Sequence, residues 1–238
     1  MAEKLPLAFL PGLLCDAALW QPQIAGLGDI ADCWVADFTT QDSATAMVDS
    51  VLAAMPERFA LAGLSMGGYV ALELMARAPE RVERLALIDT KARGDSEEQT
   101  ARRRGLIELA EKGQFKGVTP RLLPLFIHED RLDDAVLTGV VMGMAERVGK
   151  EAFISQQRAI MTRRDHTQIL AGIAVPTLIL CGRQDALTPL SEHEDMAAAI
   201  AGSELVIVED CGHLPSLERP EPTTAALRRW LQRPLAQT

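Results

Sequence analysis

A serine, an aspartate and a histidine stand in this chain at places where they could carry out acyl transfer. Ser65 lies in Gly63-Leu64-Ser65-Met66-Gly67-Gly68, between an apolar run at residues 59–62 and a helical pattern at residues 69–77. Glycines two before and two after the serine suit a tight strand-to-helix turn, which drives the serine toward positive φ and leaves no room for flanking side chains. Such a turn holds Oγ up at the end of the strand, while the free N–H groups and positive dipole end of the helix face any oxygen that becomes negative. Gly-x-Ser-x-Gly can also arise as an ordinary Gly-rich turn; the strand before it and the helix after it make Ser65 a candidate nucleophile. A nucleophilic serine needs a base, and the base needs an orienting acid. Of four histidines, His213 follows the apolar run 205–208, and Asp185 follows the run 177–181 through Gly182-Arg183-Gln184. Both therefore fall in loops at the carboxyl ends of expected strands, where open α/β sheets place their chemistry.

Other polar residues compete for these roles. Asp89 ends the expected strand 85–88 and is a second candidate acid, with Asp185 preferred for its surrounding motif. Cys15 and Cys211 fall in loops near the expected site, but neither sits in a strained turn or has a defined base, so serine is preferred to thiol. His128-Glu129-Asp130 and His193-Glu194-Asp195 are read as solvated surface, because adjacent helical residues point in different directions. The four cysteines show no metal-like spacing, reduced thiols are expected, and no metal site or cofactor is expected. Arg102-Arg103-Arg104 is read first as a set of local ion pairs, and Arg163-Arg164-Asp165 is a candidate contact for a carboxylate.

The elements that must position these groups alternate. Strands are expected at residues 5–10, 33–36, 59–62, 85–88, 177–181 and 205–208, with helices at 45–55, 69–77, 190–200 and 222–230. That alternation predicts an α/β fold with a mostly parallel sheet of about six strands and helices on both faces. Between residues 96 and 168 the strand signal disappears, and helical patterns cover 96–112, 119–127, 133–150 and 152–162.

The order nucleophile, acid, histidine resembles that of the α/β-hydrolase family, and the resemblance covers nearly the whole chain. The block Gly182-Arg183-Gln184-Asp185-Ala186-Leu187-Thr188-Pro189 is similar to the family's acid loop, and Cys211-Gly212-His213-Leu214-Pro215-Ser216-Leu217-Glu218 to its histidine loop. Leu10-Pro11-Gly12-Leu13-Leu14-Cys15-Asp16-Ala17-Ala18-Leu19-Trp20 resembles the oxyanion loop of small acyl-ester hydrolases, with Pro11-Gly12 where those loops usually carry His-Gly. The resemblance implies a catalytic set of Ser65, Asp185 and His213, with the backbone N–H groups of Leu13 and Met66 as the oxyanion hole. It also implies a sheet without the N-terminal hairpin common in the family. Residues 114–165 would form a helical cap inserted between core segments 1–113 and 166–238. Leu14 at the pocket rim, and Phe126, Met142 and Met144 in the cap, are the expected substrate contacts.

Composition narrows the partners. Apolar residues make up 48% of the 238 residues and aromatic ones 4%, enough for one large core built mainly from aliphatic side chains. The net charge of −9 argues against nucleic acid as a partner, which would need a basic face. The start, Met1-Ala2-Glu3-Lys4-Leu5-Pro6, lacks the basic and apolar regions of a secretory signal, and no run approaches a membrane span, so a cytoplasmic enzyme is expected. The resemblance extends to small carboxylesterases and enol-lactone hydrolases, which implies a small-molecule ester or lactone substrate and no cofactor. Carbon–carbon bond hydrolysis, a lyase step or perhydrolysis on the same residues is an alternative, as is a hydrolase-like receptor with little turnover.

Overall fold

The computed structural model describes residues 4–235. Met1–Glu3, part of the opening stretch considered above, and the last three residues of the expected core segment lie outside them. Six strands form one sheet: β1 (Leu5–Leu10), β2 (Ala31–Val35), β3 (Phe59–Leu64), β4 (Val82–Ile88), β5 (Thr177–Gly182) and β6 (Glu204–Val208). All neighbouring strands run parallel, in the order β2-β1-β3-β4-β5-β6. Before β3 come the helices α1 (Gln21–Leu27) and α2 (Ala44–Ala54), and α3 (Met66–Arg77) leaves the sheet directly after it. The long connection from β4 to β5 carries α4 (Glu97–Leu109) and α5 (Ala135–Thr162). The chain closes with α6 (Leu190–Ala199), the one-turn α7 (Pro215–Glu218) and α8 (Pro220–Gln232).

Side chains alternate across each strand, so each strand feeds two cores. Leu7, Phe9, Ala60, Ala62, Ala86, Ile88, Leu178 and Leu180 face one side, where they pack with Leu27 of α1 and Leu227 and Trp230 of α8. Ala8, Leu10, Leu61, Leu85, Leu87 and Ile179 face the other, against Val48 and Val51 of α2, Val70 and Leu74 of α3 and Met196 of α6. Phe9 stacks on Trp20 with ring centroids 4.5 Å apart.

The order of the strands decides where a site can form. From β1 the chain moves outward to β2, then returns to the other side of β1 with β3, so the connections leaving the carboxyl ends of β1 and β3 diverge. The crevice at such a switch point is where ligands bind in open α/β sheets. Here it lies between the loop that starts at Pro11 and the turn that carries Ser65, with Leu10 registered against Gly63.

The connection between β4 and β5 departs from the expected helices. Residues 119–127 form turns and a short 3₁₀ segment, Leu123–Leu125, instead of an α-helix. Pro124 explains this, since it falls in the interior of the expected helix and cannot donate the backbone hydrogen bond needed there. The two helices expected at 133–150 and 152–162 run on as α5, with non-helical backbone at Gly149 (φ 78°, ψ 179°). Asp134 starts α5 by accepting from the N–H groups of Val136 and Leu137. Among the described residues, no helix is long and apolar enough to cross a membrane.

Candidate active site

Ser65 has φ 54° and ψ −114°, the left-handed backbone expected of a sharp strand-to-helix turn. Its neighbours hold it there. Ser65 N–H donates to Ile88 O (3.0 Å), and Ser65 O accepts from Gly68 N–H (2.9 Å) and from the Thr90 hydroxyl (2.8 Å). A Cβ on Gly63 would collide with the backbone of Gly67, and one on Gly67 with the carbonyl of Leu10, so both glycines are required by close backbone approach.

The loop after β1 is fixed by a residue that sequence reasoning did not single out. Leu14 has φ 60°, and its N–H donates to Oε1 of the buried Gln156 (3.0 Å), whose Nε2 donates to Phe38 O (3.1 Å). Cys15 N–H closes the turn on Gly12 O (3.1 Å). Gln156, on α5, thus anchors a loop that has Pro11 where a histidine is usual in similar loops. Neither Leu13 N–H nor Met66 N–H makes a hydrogen bond among the described residues, and Met66 N–H is one of the open donors of the first turn of α3.

Asp185 and His213 meet in the loops after β5 and β6. His213 Nδ1 lies 2.8 Å from Asp185 Oδ2, and both side chains are buried. Asp185 also accepts from Leu187 N–H (2.8 Å), Thr188 N–H (3.1 Å) and the Thr188 hydroxyl (2.5 Å). Burial alone would raise its pKa, but the charge and hydrogen bond of His213 and the Thr188 hydroxyl outweigh it and hold the carboxyl well below the usual range. An ionised carboxylate can only accept, so Nδ1 carries the proton and Nε2 is left as the acceptor. His213 N–H donates to Phe126 O (2.9 Å), which ties the histidine loop to the long connection above it.

Asp89 sits beside this pair. The ligand atoms of Asp89, Asp185 and His213 all lie within 4.8 Å of one another. Asp89 is fully buried at φ 40°; its Oδ1 accepts from Gly182 N–H (2.9 Å), and its Oδ2 has no hydrogen-bond partner. Burial first, and the Asp185 charge second, push its carboxyl well above the usual range. Another cluster, Asp89, Cys181 and His193, is equally close. His193 overturns the expected solvated surface: it is buried, and its Nε2 accepts from Thr90 N–H (3.0 Å). Burial pushes it down to about 4, so it is neutral and its lone pair is already engaged. The thiols are poor nucleophiles, because burial and Asp16 push Cys15 up to about 12, and burial and Glu218 push Cys211 up as well.

Ser65 and His213 line one cavity of about 670 Å³, with Leu13, Leu14 and Phe126 also on its wall. Met142 and Met144 do not line it. They lie on the part of α5 before Gly149, where Met144 is buried in the core and Met142 packs against it. The part of α5 after Gly149 supplies Phe153, Gln157 and Ile160 to the wall instead. Leu106 and Leu109 of α4, with Leu122 and Leu187, form a partly exposed apolar rim. The arginine runs are largely absorbed by internal pairing. Arg103 and Arg163 both pair with Asp95 (2.6 and 2.8 Å), and Arg164 pairs with Glu73 (2.7 Å).

Comparisons with known proteins agree with this architecture. The chain is similar to the pimeloyl-[acyl-carrier protein] methyl ester esterase of Aliivibrio salmonicida (strain LFI1238), 26% identical over 97% of this chain and 93% of that protein. Its structure resembles a thermophilic esterase from Thermogutta terrifontis solved with malate bound, with a TM-score of 0.88, 29% identity, and coverage of 96% of this chain and 89% of that one. It also resembles the enol-lactonase from Burkholderia xenovorans LB400, with a TM-score of 0.88, 25% identity, and coverage of 98% and 93%. With the family pattern matching residues 5–226, the chain belongs to the alpha/beta hydrolase family.

Proposed function

We propose that this protein is a carboxylic ester hydrolase acting on small or medium esters or lactones through an acyl intermediate on Ser65. One observation carries the reading: Ser65, in a left-handed turn, shares a cavity with His213, whose Nδ1 is held by an ionised Asp185. Neutral His213 takes the Ser65 proton at Nε2 as Oγ attacks the substrate carbonyl carbon. Asp185 keeps the imidazole in the required tautomer and stabilises the cation that forms. The oxyanion is received by the open N–H groups of Leu13 and Met66, each worth about 3 kcal/mol when fixed beforehand in a partly dry site. The tetrahedral intermediate collapses, the carbon–oxygen bond to the leaving group breaks, and His213 returns the proton to that oxygen. Water, deprotonated by the same histidine, then frees the acid and regenerates Ser65.

The esterase names of the similar proteins support ester hydrolysis. Residues 114–165 act as the cap: Phe115, Val118, Phe126 and Phe153 from this segment line the cavity over Ser65, where they exclude water and select the acyl group. Reaction with a fluorophosphonate followed by mass mapping tests the nucleophile, and a panel of p-nitrophenyl esters of rising chain length tests the reaction. Adduct on Ser65 and turnover of the shorter esters are expected. Saturable binding with no turnover and no adduct would make the protein a receptor on the same fold.

A further inference from the structure

The cavity wall carries an unbalanced charge. Lys91, Arg102, Arg103, Lys116 and Arg121 line it, and no aspartate or glutamate does, although the chain as a whole has a net charge of −9. Arg102, Lys116 and Arg121 are exposed and make no ion pair among the described residues. Lys91 is different, because it is buried. Only 8% of it is accessible, and its Nζ is held by a neutral acceptor, Gln99 Oε1, at 3.0 Å. The two carboxylates whose charge reaches it, Asp95 and Glu192, are paired with arginines. Asp95 serves both Arg103 and Arg163, and Glu192 faces Arg93 at 3.6 Å. Burial first, then the Arg163 guanidinium, pull the Lys91 ammonium below its ordinary range, and the charges of Asp95 and Glu192 offset this only in part.

Burying a cation without an anion is costly, and an anionic ligand beside it would offset that cost. The position fits one. Lys91 lines the same cavity as Ser65 and follows Thr90, whose hydroxyl donates to Ser65 O, while Leu13, Leu64 and Phe153 supply apolar wall between the polar groups. We propose that the substrate is an ester that carries an ionised carboxylate elsewhere in the same molecule, as in the half-ester of a dicarboxylic acid, and that Lys91 binds this carboxylate. The proposal rests on the ester-hydrolase reading and adds the charge of the substrate. Lys91 is then a specificity residue: the exposed cations at the mouth draw the anion in, and Lys91 fixes which end of the substrate faces Ser65.

Two matched pairs of esters test it. Monomethyl adipate is compared with methyl hexanoate, placing the anion in the acyl part, and 6-acetoxyhexanoate with hexyl acetate, placing it in the alcohol part. For one pair, kcat/KM is expected to favour the anionic ester by about ten- to a hundredfold, the scale of a charge-assisted hydrogen bond, with the gain mainly in KM. The pair that shows the preference locates the carboxylate. Lys91→Met removes the preference, and Lys91→Arg, which keeps the charge, restores part of it. Should Lys91→Met fail to fold, Lys91→Gln provides the same neutral comparison. Equal rates within both pairs, or a preference unchanged in the neutral variant, overturns the proposal. Loss of the ester-hydrolase reading has a separate signature, in which no ester is turned over and no fluorophosphonate adduct forms on Ser65. Calorimetry on Ser65→Ala then decides about Lys91 alone: tighter binding of monomethyl adipate than of methyl hexanoate, lost on adding Lys91→Met, supports the anion site, and equal binding refutes it.

Discussion

The ends of β4 and β5 lie side by side in the sheet, and each delivers a buried aspartate toward His213, yet the two carboxyls are driven to opposite states. Asp185, after β5, accepts from two backbone N–H groups, a hydroxyl and an imidazole. Asp89, at the end of β4, accepts from one N–H group and faces its neighbour's negative charge. Similar burial thus comes with a carboxyl whose pKa is lowered in one case and raised in the other, because hydrogen-bond donors decide what burial alone would not. Each carboxylate disfavours the ionisation of the other at such close range. A carboxyl whose ionisation is disfavoured beside Asp185 competes less with the histidine's orienting acid, and its strained φ of 40° marks a position held by the fold around it.

This division of labour can be broken most severely at Asp185. Asp185→Asn is expected to lower kcat on the order of 10⁴-fold, since the amide favours the wrong imidazole tautomer, and steady-state kinetics on a p-nitrophenyl ester would measure it. Gln156→Leu is expected to cost about 10- to 100-fold in kcat with little change in KM, because it releases the loop that carries Leu13 N–H without touching the acyl pocket. A normal kcat in that variant would show that the loop after β1 is fixed by its own turn. Asp89→Asn is expected to change kcat less than about tenfold, since an amide is the isostere of a protonated carboxyl and keeps the acceptor for Gly182 N–H.

Stability sharpens the same contrast. A carboxyl whose pKa is raised on folding costs stability once pH rises above its unfolded value of about 3.9, and the cost grows until the folded value is reached. Asp89→Asn removes that cost. Its melting temperature, relative to the parent, is therefore expected to rise as the pH is raised above about 3.9, and a gap that stays constant there would mean that the Asp89 carboxyl is not raised by folding. For Asp185 the sign is reversed: its lowered pKa contributes stability that is present above about pH 3.9 and is lost as pH falls through the folded value.

Sequence reading found the groups that sit at strand ends and missed those set by packing. Ser65, Asp185 and His213 each follow an apolar run within a short loop, so a strand's position also places its chemistry, and small errors such as starting β2 at residue 33 instead of Ala31 do no harm. The walls of the cavity obey no such rule. Met142 and Met144 share a helix with Phe153 and Ile160, but the residues that reach the cavity come after the backbone break at Gly149 and these two methionines before it. Gln156 and Lys91 carry no motif, because their meaning lies in partners far away in the chain or in the lack of one. His193 reads as surface in a charged stretch, but its ring is buried, with Nε2 accepting from Thr90 N–H and Nδ1 facing Pro189 O at 3.3 Å.

The division between the two aspartates can be read directly by ¹³C NMR of the side-chain carboxyls, titrated with Asp89→Asn and Asp185→Asn to assign each signal. Near neutral pH, Asp185 should show the shift of a carboxylate and keep it below the ordinary carboxylate range, while Asp89 should show that of a protonated acid. The reverse pattern, with Asp89 charged and Asp185 protonated at neutral pH, would contradict the assignment of Asp185 as the acid that holds His213 and would transfer that role to the end of β4.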